Sequence, residues 1–135
     1  MKIQRNSDRQ HRQLKSFKTG EEYSLSSVIS DAFASDCIFL SHEIIRPNSK
    51  SSGAHFHSET DEIIYILEGS KTAVEDDTEV SLSAGDSILF ERQSGKYHFL
   101  KNETQSDCVA LVIRRKMTAE DAVFPLKATT PALSS

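Results

Sequence analysis

Hydrophobic and polar positions alternate in short runs along this chain, and no long stretch repeats at the helical period. Runs rich in Val, Ile, Leu, Phe and Tyr span residues 23–29, 37–45, 54–57, 62–67, 71–74, 79–82, 87–90, 97–101 and 109–114, and each has the length and composition of a strand. Between them lie Pro47-Asn48-Ser49, Glu68-Gly69, Asp76-Asp77, Ala84-Gly85-Asp86, Ser94-Gly95 and the polar stretch 102–107, which supply the chemistry of tight reversals. This rhythm predicts an all-β fold, an antiparallel double-sheet sandwich or barrel over about residues 22–115. Two stretches predict helix: residues 8–15, and residues 118–123, where Thr118 and Asp121 approximate a capping box. Residues 128–135 are small, polar and proline-containing and predict a loose tail. The chain therefore divides into an N-terminal arm (1–20), a barrel (21–116) and a C-terminal segment (117–135), partly loose.

Strand alternation also assigns faces. Ile64 and Ile66 share a face with Glu62, and Ile63, Tyr65 and Leu67 share the other. A strand apolar on both faces must be covered on both, which predicts a homodimer or a covering arm over Tyr65 and its neighbours.

With 135 residues, 37% hydrophobic and 27% charged, the chain suits one water-soluble domain. No apolar stretch approaches the ~20 residues of a membrane span. The polar start, from Lys2 to Gln13, lacks the apolar core of a secretion signal, so a cytoplasmic location without membrane attachment is expected. Two cysteines, Cys37 and Cys108, sit in apolar runs and read as small buried hydrophobes rather than a disulfide framework. The net charge of −4 hides an asymmetry. Residues 1–18 carry six Lys/Arg against Asp8, leaving −9 on the remainder. Such an arm could touch nucleic acid, yet it has one aromatic, Phe17, and no reading helix, so a solvated or subunit-clasping arm is expected instead.

The candidate chemistry lies in two segments. In Gly53-Ala54-His55-Phe56-His57, the two histidines project to one face of a strand, and four residues later Glu62 opens the next strand. If that strand pairs antiparallel with the first, Glu62 lies beside both imidazoles. Gly95-Lys96-Tyr97-His98 supplies a third imidazole from a later strand. Neutral imidazoles with one carboxylate suit a first-row metal, and three His with one Glu leave coordination positions open, as catalysis requires. The expected cofactor is one divalent transition-metal ion: iron, manganese, nickel, zinc or copper. Of the other histidines, His42 can face either way along its strand, and His11 belongs to the arm and reads as solvated. No Gly-x-Ser-x-Gly elbow or Gly-rich phosphate loop occurs.

The two segments resemble the motifs of the cupins. His55-x-His57, four residues, Glu62, six residues and Gly69 match the first motif. Gly85-Asp86, then Gly95, two residues, His98, three residues and Asn102 match the second. The resemblance covers roughly residues 37–114. It implies a jelly-roll barrel of two antiparallel sheets, often paired as dimers, with His55, His57, Glu62 and His98 as metal ligands. Three features differ from the family's pattern. Asn48 or Ser49 stands where a glycine commonly follows the proline, no proline lies around Glu91-Arg92, and the stretch from Gly85 to His98 is two residues longer. The chemistry so implied is broad. The expectation is a mononuclear metalloenzyme of oxygenase or isomerase type, acting on a small carboxylate or hydroxy-carbonyl compound. The alternative is a metal-dependent binding or sensing module without turnover. A spare acid or base near the open metal positions favours the enzyme, and a pocket lined only by Ile, Leu and Phe favours the binder.

Overall fold

The computed structural model describes residues 1–126; the tail expected at 128–135 lies outside them. The described strands are β1 (Arg12–Lys15), β2 (Glu22–Val28), β3 (Ile38–Ile45), β4 (Ser49–Lys50), β5 (Phe56–His57), β6 (Glu62–Glu68), β7 (Ser70–Glu75), β8 (Thr78–Ser83), β9 (Ser87–Phe90), β10 (His98–Asn102), β11 (Cys108–Arg115) and β12 (Ala122–Val123). Each of the nine strands expected from the alternation is present, with ends shifted by a residue or two. Helix is confined, among the described residues, to a 3₁₀ turn at Asn6–Asp8 and to α1 (Ile29–Ala32).

The strands form an antiparallel jelly-roll of two main sheets, ordered β1-β2-β3-β11-β6-β9 and β4-β10-β7-β8, with β12 and β5 as a separate pair. Inward positions of the two sheets build one core of Ile45, Ile64, Ile66, Ala73, Leu82, Phe90, Leu100, Cys108 and Ala110, with Ile88 and Val112 packed on it. In β6, Glu62, Ile64 and Ile66 are buried, and Ile63, Tyr65 and Leu67 lie exposed on the other face. The alternation in the sequence is thus the alternation of the barrel wall.

Both helix expectations are corrected. Residues 8–15 hold no α-helix, because Arg12–Lys15 instead pairs with β2 at the sheet edge, Gln13 opposite Leu25. The Gln13 side chain donates to the Tyr23 carbonyl at 2.7 Å, which fixes that edge strand. Residues 118–123 hold no helix: the chain bends at 118–119 and Ala122 then pairs with His57. Cys37 is also corrected: it is exposed, whereas Cys108 is buried, and both are free thiols.

Gly69 marks the corner where the chain leaves the six-stranded sheet after β6 and enters the four-stranded sheet as β7. Its φ is +75°, and a Cβ there would lie 2.6 Å from the Asp107 carbonyl oxygen. Gly69→Ala should therefore destabilise the barrel by about 2 kcal/mol or more. The urea midpoint is the check, and an unchanged midpoint would show that the corner is not under this constraint.

Candidate functional site

The site gathers side chains from three sheets. Glu62 opens β6 in the six-stranded sheet, His98 opens β10 in the four-stranded sheet, and His57 ends β5 in the two-stranded pair. β6 pairs with β11 and β9, not with β5. The hairpin expected to bring Glu62 to the histidines is absent, and they meet instead across the barrel interior. His55 joins through a bridge to His98, each backbone N–H donating to the other's carbonyl. The longer stretch before His98 is absorbed by a turn in which the Gln93 N–H donates to the His57 carbonyl at 2.7 Å. His98 therefore reaches Glu62 despite the extra residues.

His57, Glu62 and His98 are all buried, and His55 half-buried. Potential ligand atoms of His55, Glu62 and His98 lie within 4.8 Å of one another. His57 falls outside that triple, but its Nε2 is 3.1 Å from Glu62 Oε2, while His98 Nε2 is 3.1 Å from Glu62 Oε1. His57 Nε2 lacks hydrogen-bond geometry to any partner despite that proximity. An aligned hydrogen bond is replaced by a nitrogen and an oxygen facing common space.

The Nδ1 atoms of His57 and His55 are held from behind, whereas His98 Nδ1 is buried without a hydrogen-bond partner. His57 Nδ1 donates to Asp121 Oδ1 at 2.8 Å, and His55 Nδ1 donates to the Gly53 carbonyl at 2.9 Å. With Nδ1 carrying the proton, Nε2 of each ring keeps its lone pair for the interior. The His98 ring stacks on Phe90, centroids 3.8 Å apart and planes within 1°. Asp121 is itself fixed, its Oδ2 accepting from Thr60 Oγ1 at 2.8 Å and from the Glu59 N–H at 3.1 Å.

Burial would raise the Glu62 carboxyl pKa, but the hydrogen bond from His98 and the charge of both His57 and His98 beside it outweigh burial and hold it well below the carboxylate range. Burial pushes His55 below its ordinary value. Burial lowers His57 as well, but the Glu62 carboxylate beside it and its hydrogen bond to Asp121 leave the net shift upward. The cluster combines an ionised carboxylate with imidazole nitrogens, the donor set of a first-row transition ion. The fit rests on the unpartnered, buried His57 Nε2 and on the two nitrogens flanking one carboxylate.

Asp121 was not singled out for the site in the sequence, which offers no local sign of it 64 residues from His57. Its place behind His57 is that of a positioning residue for any ion the cluster holds, and Asp121→Ala should weaken such binding by about 10–100-fold while leaving His55, His57, Glu62 and His98 in place. Competition with a chelating dye measures this. An unchanged affinity would mean that His57 is oriented without it.

The cluster lines a cavity of about 670 Å³, a size that accepts a small organic molecule. Ile64, Leu100, Ala110 and Val112 form apolar wall, as the alternation predicts, and residues 14–18 of the arm also contribute. Lys71, Glu43, Arg114 and Glu120 add charge that the sequence reading did not place there. His42 does not line the cavity: Ser41, Glu43 and Ile45 take the inward positions of β3. It sits on the outer face with its Nδ1 2.9 Å from Nε2 of His11, so the arm histidine is docked and half-buried rather than solvated.

Comparison with known proteins places this geometry among relatives. A cupin domain model matches residues 41–114. No curated protein matches the sequence. Among solved structures, a sugar phosphate isomerase of a cupin superfamily from Silicibacter pomeroyi is similar at 26% identity and a TM-score of 0.71, covering 76% of this chain. This chain spans 65% of that protein's length. The polyketide cyclase RemF from Streptomyces resistomycificus is similar at 23% identity and a TM-score of 0.76, over 94% of this chain and 88% of that one. A predicted oxalate decarboxylase from Thermotoga maritima is similar at 20% identity and a TM-score of 0.70, over 86% of this chain and all of the other.

Proposed function

This chain belongs to the cupin family, and on that premise we propose that it holds one divalent transition-metal ion through His55, His57, Glu62 and His98. We further propose that the ion serves a mononuclear metalloenzyme, of oxygenase or isomerase type, that acts on a small carboxylate or hydroxy-carbonyl compound. The observation that carries the metal is the pair of buried imidazole nitrogens, each 3.1 Å from one oxygen of the Glu62 carboxylate. Iron, manganese, nickel, zinc and copper all accept such donors.

A bound ion would supply Lewis-acid activation of a carbonyl, hydroxyl or water oxygen. The protein's own residues do the rest. Asp121 fixes the His57 tautomer, Phe90 holds the His98 ring, and the apolar walls exclude water from a substrate. Glu120, whose carboxylate lies within 4.8 Å of the ligand atoms of His57 and Asp121 and which lines the cavity, supports turnover over passive binding. The second candidate is a metal-dependent sensing or binding module. A screen of small carboxylates and hydroxy-carbonyl compounds for turnover and dioxygen uptake separates the two. Ligands that bind without any conversion would leave the binding module.

The outer face of the six-stranded sheet exposes Ile63, Tyr65, Leu67 and Leu89, each 38–48% accessible. A contiguous apolar face of this kind supports a homodimer. Light scattering should report twice the chain mass, and Tyr65→Glu should return the monomer. A monomer at high concentration would remove the dimer. No helix among the described residues is long and apolar enough to cross a membrane. The two free thiols are in keeping with the reducing cytoplasm, where we place the protein.

A further inference from the structure

Inside the barrel, away from the histidine cluster, lies a second group of polar side chains. Lys71 on β7 points inward with Ala73 and is 2% exposed, yet its Nζ has no hydrogen-bond partner among the described residues. Glu43 on β3 is also buried, and its two oxygens accept from Ser24 Oγ at 2.6 Å and from Ser26 Oγ. Held by those serines, the Glu43 carboxyl forms no ion pair with Lys71. Both side chains line the same cavity as the histidines.

Strand register sets the separation of the two groups. Glu43 pairs with Ala110, four residues along β11 from Arg114, which pairs with Glu62. Lys71 is likewise four residues along β7 from Glu75, which pairs with His98. Four residues are ~13 Å of strand at ~3.3 Å each. The inward side chains between the two levels are mostly apolar, Ile64, Leu100 and Val112, with the small Ser41 on β3 beside them.

We propose that the Lys71 ammonium binds the carboxylate of an elongated monocarboxylic acid whose apolar body fills the barrel between Lys71 and the histidine cluster. An ammonium buried without a partner is costly unless a ligand supplies one. One cation facing a cavity that also holds Glu43 suits a single negative charge, whereas a phosphate dianion would meet Glu43 with too few donors. Burial lowers the Lys71 pKa to about 8, despite the opposing pull of Cys108 and Glu43, so the group remains mostly cationic at neutral pH. The assignment deepens the small-molecule reading above and does not require the metal.

The test titrates the full-length protein, as purified and with its metal content measured on the same sample, with 3-phenylpropionate and with the neutral 3-phenylpropionamide. The parent should prefer the acid by roughly tenfold or more, the scale of a charge-assisted hydrogen bond. Lys71→Met should bring that ratio near one while metal content and amide affinity stay at parent values. Equal binding of acid and amide by the parent, no binding of the acid, or an acid preference that survives Lys71→Met would overturn the proposal. Tighter binding of 3-phenylpropyl phosphate than of the acid would overturn the choice of a carboxylate. If Lys71→Met does not fold, the Lys71 Nζ resonance of the parent decides: it should move with the acid and not with the amide, and an unmoved resonance would also overturn the assignment. Loss of the metal proposal shows separately, as a parent without an ion whose acid preference is intact.

Discussion

Replacing His57 with Ala should remove most of the protein's affinity for a divalent transition ion, whereas His42→Ala should leave it nearly unchanged. His57 is buried, its Nδ1 is tied to Asp121 and its Nε2 faces the Glu62 carboxylate, so its loss deletes the proposed nitrogen ligand whose orientation is already fixed. The cost should be at least the ~10–100-fold that removing a supporting residue alone incurs. His42 lies on the opposite face of the barrel wall, against His11. Titration of both variants with a chelating competitor reads the difference directly. In the parent, affinity should fall on acidification, because imidazoles must be neutral to bind. Burial lowers the His57 pKa, but the neighbouring Glu62 carboxylate and the hydrogen bond to Asp121 outweigh burial and leave it raised. Proton competition at His57 should therefore begin at a higher pH than the ~6.5 of a free imidazole. Equal metal affinity in both variants would remove the ligand assignment.

Lys71→Met should stabilise the protein at neutral pH. Burial lowers the Lys71 pKa from 10.5 to about 8. At ~1.36 kcal/mol per pKa unit, keeping the charged form inside costs on the order of 3 kcal/mol below that pH. Met roughly conserves the volume and removes the charge, so a gain of roughly 1–3 kcal/mol in urea denaturation at pH 7 is expected. The pH dependence follows from the sign of the shift. Between about pH 8 and 10.5 the unfolded chain holds the Lys71 proton that the folded chain has lost. The parent therefore gains stability relative to the variant as pH rises through that window. A variant no more stable than the parent at pH 7, or a gap that ignores pH, would contradict the burial of an unpaired cation. Such a cost, retained in a small barrel, is the expected mark of a group kept for binding rather than for folding.

The barrel was legible because each wall strand writes its alternation locally. In β6 the inward Glu62, Ile64 and Ile66 interleave with the outward Ile63, Tyr65 and Leu67, and no distant partner is needed to see it. The edge elements were not legible. β1 reads Arg-Gln-Leu-Lys, with no apolar face of its own, and becomes a strand through pairing with β2. Residues 118–123 carry a local helix-start pattern, but Asp121 accepts from the Glu59 N–H and Thr60 Oγ1 instead of capping a helix. Tertiary hydrogen bonds outweigh a weak local preference there.

The site divides in the same way. His55 and His57 share a face through spacing alone, and the spacing to Glu62 carries the family resemblance. Their meeting with Glu62 and His98 depends on three sheets closing around one interior, which no local pattern encodes. Glu43 and Lys71 did leave a sign, since each occupies an inward position by strand parity. Charged residues at such positions usually mark exposure, and only the closed barrel shows these two to be buried.

Elemental analysis of the purified full-length protein, repeated after incubation with iron, manganese, nickel, zinc or copper and removal of the excess, tests the metal centre most directly. Close to one transition-metal ion per chain is expected, retained by the parent and lost by His57→Ala. A folded parent that holds no ion before or after incubation would contradict it.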